Sequence, residues 1–129
     1  MKDSEKPISP SEAELEILQV LWEIEPATVR QIHEALSSKK QVGYTTTLKQ
    51  IQRMTTKEML LKLDEQTPHQ FRALTQESDV QKTMFQRLLN TAFKGSAMKL
   101  VMHALGEAET DENEIAQLEE WLNQQKKDE

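Results

Sequence analysis

The sequence predicts a mainly α-helical protein with one small β-hairpin near its middle. Apolar residues recur at helical spacing through most of the 129 residues, and helix-start signals separate the periodic stretches. The period changes to two only around residues 60–74, where two short runs flank a turn-like segment. The chain has only 3 glycines, which argues against a glycine-rich phosphate-binding loop.

Three short helices are predicted before the hairpin. Ser9 is the expected N-cap of the first, with Pro10 at its first position and Glu12 completing a capping box. Thr28 and Gln31 form the capping box of the second, and the third opens at Gly43-Tyr44-Thr45. Their apolar stripes are Leu15, Leu18, Leu21 and Trp22; Val29, Ile32 and Leu36; and Leu48 and Ile51.

A β-hairpin is predicted next, with strands at residues 60–64 and 70–74 around a turn at 65–69. Two strands alone are marginally stable in water. We therefore expect the hairpin to pack on the three helices, which makes residues 1–76 one domain.

Residues 77–129 are predicted to form three amphipathic helices that cannot bury their apolar stripes by themselves. They could fold back on the first domain or pair with a second copy of the chain. Their separate helix-start signals favour pairing, and two-fold dimers are the commonest solution. The predicted dimer-interface residues are Met84, Phe85, Leu88, Leu89, Phe93, Leu100, Val101, Leu105, Ile115, Leu118, Trp121 and Leu122.

Charge is unevenly distributed. The formal net charge is −6, yet residues 39–72 hold seven Lys and Arg against three Asp and Glu. A local basic segment in an acidic protein focuses positive potential, although such a segment can also be an ordinary solvated lysine face.

Three helices followed by a hairpin is the element order of the winged helix-turn-helix, in which the third helix enters the DNA major groove. The third helix fits this role, because Thr46, Lys49, Gln50 and Arg53 share its outer face and Thr45 lies at its N-terminal end. Hydroxyl, amide and cationic groups are those that contact base edges and phosphates. The competing interpretation is an ordinary amphipathic surface helix.

The sequence resembles the penicillinase-repressor family of the BlaI/MecI/CopY type. The similarity lies in Ala13-Glu14-Leu15-Glu16-Ile17-Leu18 through Leu21-Trp22, Thr28-Val29-Arg30-Gln31-Ile32, Tyr44-Thr45-Thr46-Thr47-Leu48, Gln52-Arg53-Met54 and Phe71-Arg72-Ala73. The resemblance implies a homodimeric repressor that binds double-stranded DNA at inverted repeats in promoters. It also implies DNA contacts from Thr45, Thr46 and Lys49 of the recognition helix, a phosphate contact from Arg53 and a wing contact from Arg72. Thr28, Tyr44, Gln50 and Lys57 complete the predicted DNA-binding set.

The chain departs from the family pattern at three places. Lys57-Glu58-Met59-Leu60 stands where the family usually has Lys-Gly-Leu-Leu, which predicts a different end to the third helix. Residues 66–69 replace a glycine-containing wing turn. In β-lactam-responsive members an Asn–Phe bond is cleaved during induction, which implies an upstream membrane sensor-protease as a partner. The matching position here is about His103-Ala104, so the chain lacks the Asn–Phe pair there, and this departure argues against the same regulatory route.

Other function classes find little support. The chain has no cysteine, which excludes thiolate metal sites and the cysteine-based copper response. Its three histidines are not spaced as metal ligands, and it has no nucleophile motif, so we expect no metal, no cofactor and no enzyme activity. No apolar run suits a membrane span or signal peptide, so we expect a cytoplasmic protein without direct membrane binding. Two alternatives remain: a protein–protein adaptor that uses the winged helix as a docking surface, and a toxin-partner or anti-activator that binds DNA only within a complex.

Overall fold

The computed structural model describes residues 9–107 and 111–127. Six helices and three strands confirm the predicted mainly helical fold class within that part of the chain. In order they are α1 (Glu12–Ile24), β1 (Ala27–Thr28), α2 (Val29–Ser37), α3 (Tyr44–Thr56), β2 (Leu60–Leu63), β3 (Gln70–Ala73), α4 (Glu77–Ala92), α5 (Ala97–Glu107) and α6 (Glu112–Lys127).

The sheet has one more strand than the predicted hairpin. Its order is β1-β3-β2, and both pairings are antiparallel. In β1, Ala27 pairs with Phe71 and Thr28 with Gln70. Two residues are too few to show an alternating pattern, and Thr28 also caps α2, so only its role as a helix cap was visible in the sequence.

One hydrophobic core joins α1, α2, α3 and the sheet. Ile51 and Met54 of α3 are fully buried in it, together with Leu18 and Leu21 of α1. The other members of this core are Ile17, Val20, Ala27, Ile32, Leu36, Met59, Leu60 and Phe71. The core therefore fixes α3 by its inner face and leaves its outer face to solvent.

The first helix begins later than predicted. Ser11, not Ser9, is the N-cap of α1, and the capping box is completed by Glu14 rather than Glu12. The Glu14 backbone N–H donates to Ser11 Oγ at 3.2 Å, and the Ser11 N–H donates to Glu14 Oε1 at 2.9 Å. Both serines satisfy the same sequence pattern, and only the reciprocal bonding distinguishes them.

The third helix ends in a Schellman motif, contrary to the prediction of a different ending. The Met59 N–H donates to the Met54 carbonyl at 2.9 Å, and the Glu58 N–H donates to the Thr55 carbonyl at 3.0 Å. Glu58 itself has a φ of 64°. The backbone thus keeps the left-handed conformation that usually favours glycine, because Met54 and Met59 are both buried and close the motif.

We expect Glu58→Gly to stabilise the protein. A side chain in the left-handed region costs about 1–2 kcal/mol, and glycine recovers part of that while adding entropy to the unfolded chain. The expected net gain in the free energy of unfolding is about 0.5–1 kcal/mol, measured by urea denaturation. Glu58→Ala is the matched control, because it removes the carboxylate but keeps the Cβ. An equal gain from both variants would assign the effect to charge rather than to the backbone.

The chain forms two compact units, one ending at Gln86 and the other beginning at Arg87. Val80 on the first part of α4 is buried in the first unit, while most of the second unit's apolar residues are exposed. Large side chains along α4, α5 and α6 are between 36% and 71% exposed in the single chain: Met84, Phe85, Leu88, Met98, Val101, Met102, Leu105, Ile115, Trp121 and Leu122. No helix among the described residues is apolar and long enough to cross a lipid bilayer.

Candidate nucleic-acid interface

The outer face of α3 presents a compact set of polar groups. Thr45, Thr46, Lys49 and Arg53 are exposed, and Gln50 is half-buried. The Arg53 guanidinium donates to Gln50 Oε1 at 3.5 Å, so two of the predicted contacts already touch each other. The structure therefore brings these five predicted residues together on one helix face.

The run of three threonines divides between the two faces of α3. Thr47 is buried, because it shares the inner face with Ile51 and Met54 at helical spacing. Its hydroxyl lies 3.4 Å from His33 Nδ1 and donates to the Gly43 carbonyl at 3.3 Å. Thr47 thus anchors the start of α3 to α2, and this anchoring leaves Thr45 and Thr46 directed outward.

Tyr44 and Thr28 occupy different positions in this surface. Tyr44 is exposed at the start of α3, and its ring makes an edge contact with His33 at 5.5 Å between centroids. The Thr28 hydroxyl accepts the Gln31 backbone N–H at 3.2 Å as the cap of α2. Tyr44 is therefore free to contact a ligand, whereas Thr28 is already engaged through its hydroxyl.

Arg72 and Lys57 flank the α3 residues. Arg72 is exposed on β3, opposite Leu61 in the ladder and on the other side of the strand from buried Phe71. Lys57, predicted as a DNA contact, places its ammonium 2.6 Å from Glu14 Oε2. The ammonium therefore links the C-cap of α3 to α1, while the Lys57 side chain remains 58% exposed.

Glu14 is a buried carboxylate with two partners. Burial raises the pKa of its carboxyl, but the hydrogen bonds from Lys57 and Ser11 and the positive charge of Lys57 outweigh burial and lower that pKa overall. The Glu14 side chain is only 8% exposed, so this ion pair is a structural connection between the N-cap of α1 and the end of α3.

Because the folded-state pKa of Glu14 is lowered, its contribution to stability is complete above the ordinary value of 4.5 and is lost as the pH falls through the lower folded value. We expect Glu14→Gln, which keeps the cap acceptor, to reduce the free energy of unfolding by about 1–2 kcal/mol at neutral pH. The difference from the unmodified protein should shrink below pH 4.5 in urea titrations.

Glu16→Gln is the matched control for this experiment. The Lys40–Glu16 pair has the short distance of 2.8 Å, but both side chains are substantially exposed. Exposed pairs contribute about 0–1 kcal/mol, so this variant should change stability little at any pH. Equal losses from Glu14→Gln and Glu16→Gln would contradict the structural role assigned to Glu14.

A model of the family described as penicillinase repressor matches residues 10–124. The chain belongs to the penicillinase repressor family. It is 30% identical over 98 residues to the transcriptional regulator BlaI of Mycobacterium tuberculosis strain CDC 1551, covering 74% of this chain and 71% of that one. It is 25% identical over 113 residues to the methicillin resistance regulatory protein MecI of Staphylococcus aureus strain N315, covering 88% and 92%. The family resemblance is thereby confirmed, and membership of a family of regulators agrees with the prediction of no enzyme activity.

A solved structure supports the winged helix-turn-helix fold of this chain. It is a MarR family protein from Bacillus stearothermophilus, with a TM-score of 0.54 and 17% sequence identity. The alignment covers 97% of this chain and 77% of that chain. At this identity the likeness concerns the fold alone.

Two cations near the candidate surface, Arg30 and Lys62, are not among the predicted DNA contacts. Arg30, in the first turn of α2, places its guanidinium 6.0 Å from the Tyr44 ring centroid. Lys62 is exposed on β2, opposite Phe71 in the ladder. The contact between Arg30 and Tyr44 joins residues far apart in sequence, so no local spacing could reveal it, whereas Lys62 was visible as a member of the basic segment.

The predicted cleavage position, His103-Ala104, lies in α5. His103 and Ala104 are both exposed, and the His103 ring makes an edge contact with Phe93 at 5.5 Å between centroids. Both residues are within a regular helix, so a protease would require local unwinding to reach an extended bond.

Proposed function

We propose that this protein is a homodimeric transcriptional repressor that binds an inverted repeat in double-stranded DNA at the promoters it controls. The observation that carries the proposal is the outer face of α3, where exposed Thr45, Thr46, Lys49 and Arg53 lie on a helix fixed by its buried inner face. A rigid helix with hydroxyl, amide and cationic groups suits the major groove. Family membership supports the same proposal.

The charge of α3 supports this surface as the DNA-contacting one. The helix contains two cations, Lys49 and Arg53, and no carboxylate, although the whole chain has a net charge of −6. Lys49 and Arg53 would contact phosphates, while Thr45 and Thr46 would read base edges. Arg72 on β3 would contact the backbone beside the groove, as the wing of this fold does.

Dimerisation is proposed because, among the described residues, the large apolar side chains along α4, α5 and α6 are mostly exposed. Trp121 is 57% exposed and Phe85 is 44% exposed, and aromatic residues of this kind are typical anchors of an interface. A second copy offers an identical apolar surface, and a two-fold axis would match an inverted repeat. The half-sites are then expected about one DNA turn apart, ~34 Å.

The repression proposed is steric, since a dimer seated on a promoter blocks the polymerase from the same DNA. A cytoplasmic location follows from DNA as the partner. Relief of repression by a membrane sensor-protease that cleaves at His103-Ala104 is part of the proposal, because cleavage there would detach α6 from the rest of the interface. Mass analysis of the protein from induced cells would show two fragments if this route operates, and an intact chain in fully induced cells would exclude it.

Selection of bound duplexes from a random pool, with the purified full chain, tests the proposed function. We expect enrichment of an inverted repeat, which requires both sequence recognition and a two-fold dimer. Enrichment of a single, non-repeated element would contradict the dimer. No enrichment by a folded protein at low salt would favour the adaptor interpretation, in which this surface binds another protein.

Lys49→Ala should weaken DNA binding and reduce its salt dependence. Each neutralised phosphate contributes about 0.9 to the slope of log affinity against log salt, so losing one contact should lower the slope by about 1. Fluorescence anisotropy at several salt concentrations measures both quantities. Lys126→Ala, an exposed lysine in the last turn of α6, is the matched control and should leave the slope unchanged. Equal slopes for the unmodified protein, Lys49→Ala and Lys126→Ala would show that Lys49 does not contact DNA phosphates.

A further inference from the structure

A pocket of about 660 Å³ lies between α3, the first turn of α2 and the sheet. It is open to solvent on one side, and its size falls within the range of small-molecule sites in proteins. Its lining includes Thr28, Arg30, Tyr44, Lys62, Pro68 and Phe71.

The pocket is largely apolar. Phe71 is buried, and Val29 and Leu48 are half-buried, so these three side chains form an apolar floor. The Tyr44 ring and the Pro68 ring are exposed and stand at its edge. A flat, apolar ligand could exclude water from this floor, whereas a phosphate group alone could not.

The polar groups of the pocket select for negative charge. Arg30 and Lys62 both line it, and none of its described lining residues is an Asp or Glu. Neither cation makes an ion pair with another residue in the described part of the chain, and the contact made by Arg30 is with the Tyr44 ring. Two cations beside an apolar floor suit the carboxylate of an amphipathic molecule.

We propose that this pocket binds a small amphipathic anion, an aromatic carboxylate, and that its occupancy weakens DNA binding. The second part rests on the proposed function, because it requires that DNA occupies the adjoining face of α3. Tyr44 and Thr28 belong to both the pocket and the predicted DNA-binding set. A ligand seated against them competes with DNA for Tyr44 and fills the space between α3 and Pro68 of the turn that joins β2 to β3.

The test of binding uses 2-naphthoate as the probe and neutral 2-naphthamide as its matched analogue, followed by NMR on the full chain. A bicyclic ligand of this size is expected to bind with a Kd of about 1 mM. Shifts of the amides of Val29, Arg30 and Lys62 should saturate with 2-naphthoate. Lys62→Gln should weaken binding about tenfold, since it removes a charge-assisted contact, while Lys39→Gln, an exposed lysine outside the pocket, should not change it.

Three results would overturn the binding site: no saturable shifts with 2-naphthoate, equal binding of 2-naphthamide, or shifts confined to the exposed apolar faces of α4 to α6.

The proposed competition between the anion and DNA is tested by anisotropy with the selected DNA. At a 2-naphthoate concentration of about ten times its Kd, the apparent DNA affinity should fall about tenfold under direct competition. An unchanged DNA affinity would overturn the competition. If the chain binds no DNA at all, the proposed function fails, and the NMR titration still decides whether the pocket binds the anion.

Discussion

Phe85→Asp is expected to convert the proposed dimer to a monomer and to weaken operator binding by about 100-fold or more. Phe85 is 44% exposed in the single chain, so the substitution should leave the monomer folded. In a dimer it would place a carboxylate in an apolar interface, and truncation of a buried aromatic anchor alone costs about 2 kcal/mol or more. Loss of the partner also removes one of the two recognition helices.

Sedimentation equilibrium measures the mass of the variant, and anisotropy measures its affinity for the selected repeat. Gln86→Asp is the matched control. Gln86 is the next residue on α4 and is exposed, and its substitution introduces the same negative charge. That variant should remain dimeric. A dimeric Phe85→Asp protein with unchanged DNA affinity would show that α4 does not contribute to the interface.

Ile51→Ala is expected to have the largest effect on the stability of the DNA-binding unit. Ile51 has no exposed surface and lies on the inner face of α3. Removing a buried branched side chain from a packed core costs about 2–5 kcal/mol, which is a large part of the stability of a small domain. The expected result is a lower urea midpoint and a loss of DNA binding that follows the unfolded fraction.

Ile51→Val is the graded control, because it removes one methylene and should cost about 0.5–1.5 kcal/mol. Under conditions in which Ile51→Val is fully folded, its DNA affinity should equal that of the unmodified protein, since the outer face of α3 is untouched. Reduced DNA affinity in a fully folded Ile51→Val protein would show that the helix shifts when its inner face is altered.

The helices and the α3 surface could be predicted from the sequence because they depend on local patterns. Thr28 and Gln31 form the capping box that their spacing indicates. The helical spacing of polar and apolar residues along α3 predicted that Lys49 and Arg53 lie on its outer face and Ile51 on its inner face. These features depend on residues within one or two helical turns of each other, so they can be predicted from the local sequence.

Features that depend on contacts distant in sequence were missed or mispredicted. β1 exists because β3 pairs with it, although the two strands are more than forty residues apart in sequence. Glu58 adopts a left-handed backbone because buried Met54 and Met59 close the end of α3, which overrides the preference for glycine. The ion pair between Lys57 and Glu14 was also missed, because only the fold brings that carboxylate to the Lys57 ammonium.

The order of the strands bears on how readily another chain could add a strand to this sheet. A sheet exposes unpaired backbone groups at its two outer strands, and these can recruit other chains into fibrils. Here one outer strand is only two residues long and follows Pro26, which has no N–H to donate, and the other carries the exposed Lys62. Both edges are therefore poor templates for strand addition. Strand addition has no natural end point, whereas the dimer proposed through α4 to α6 would close on itself and stop at two copies.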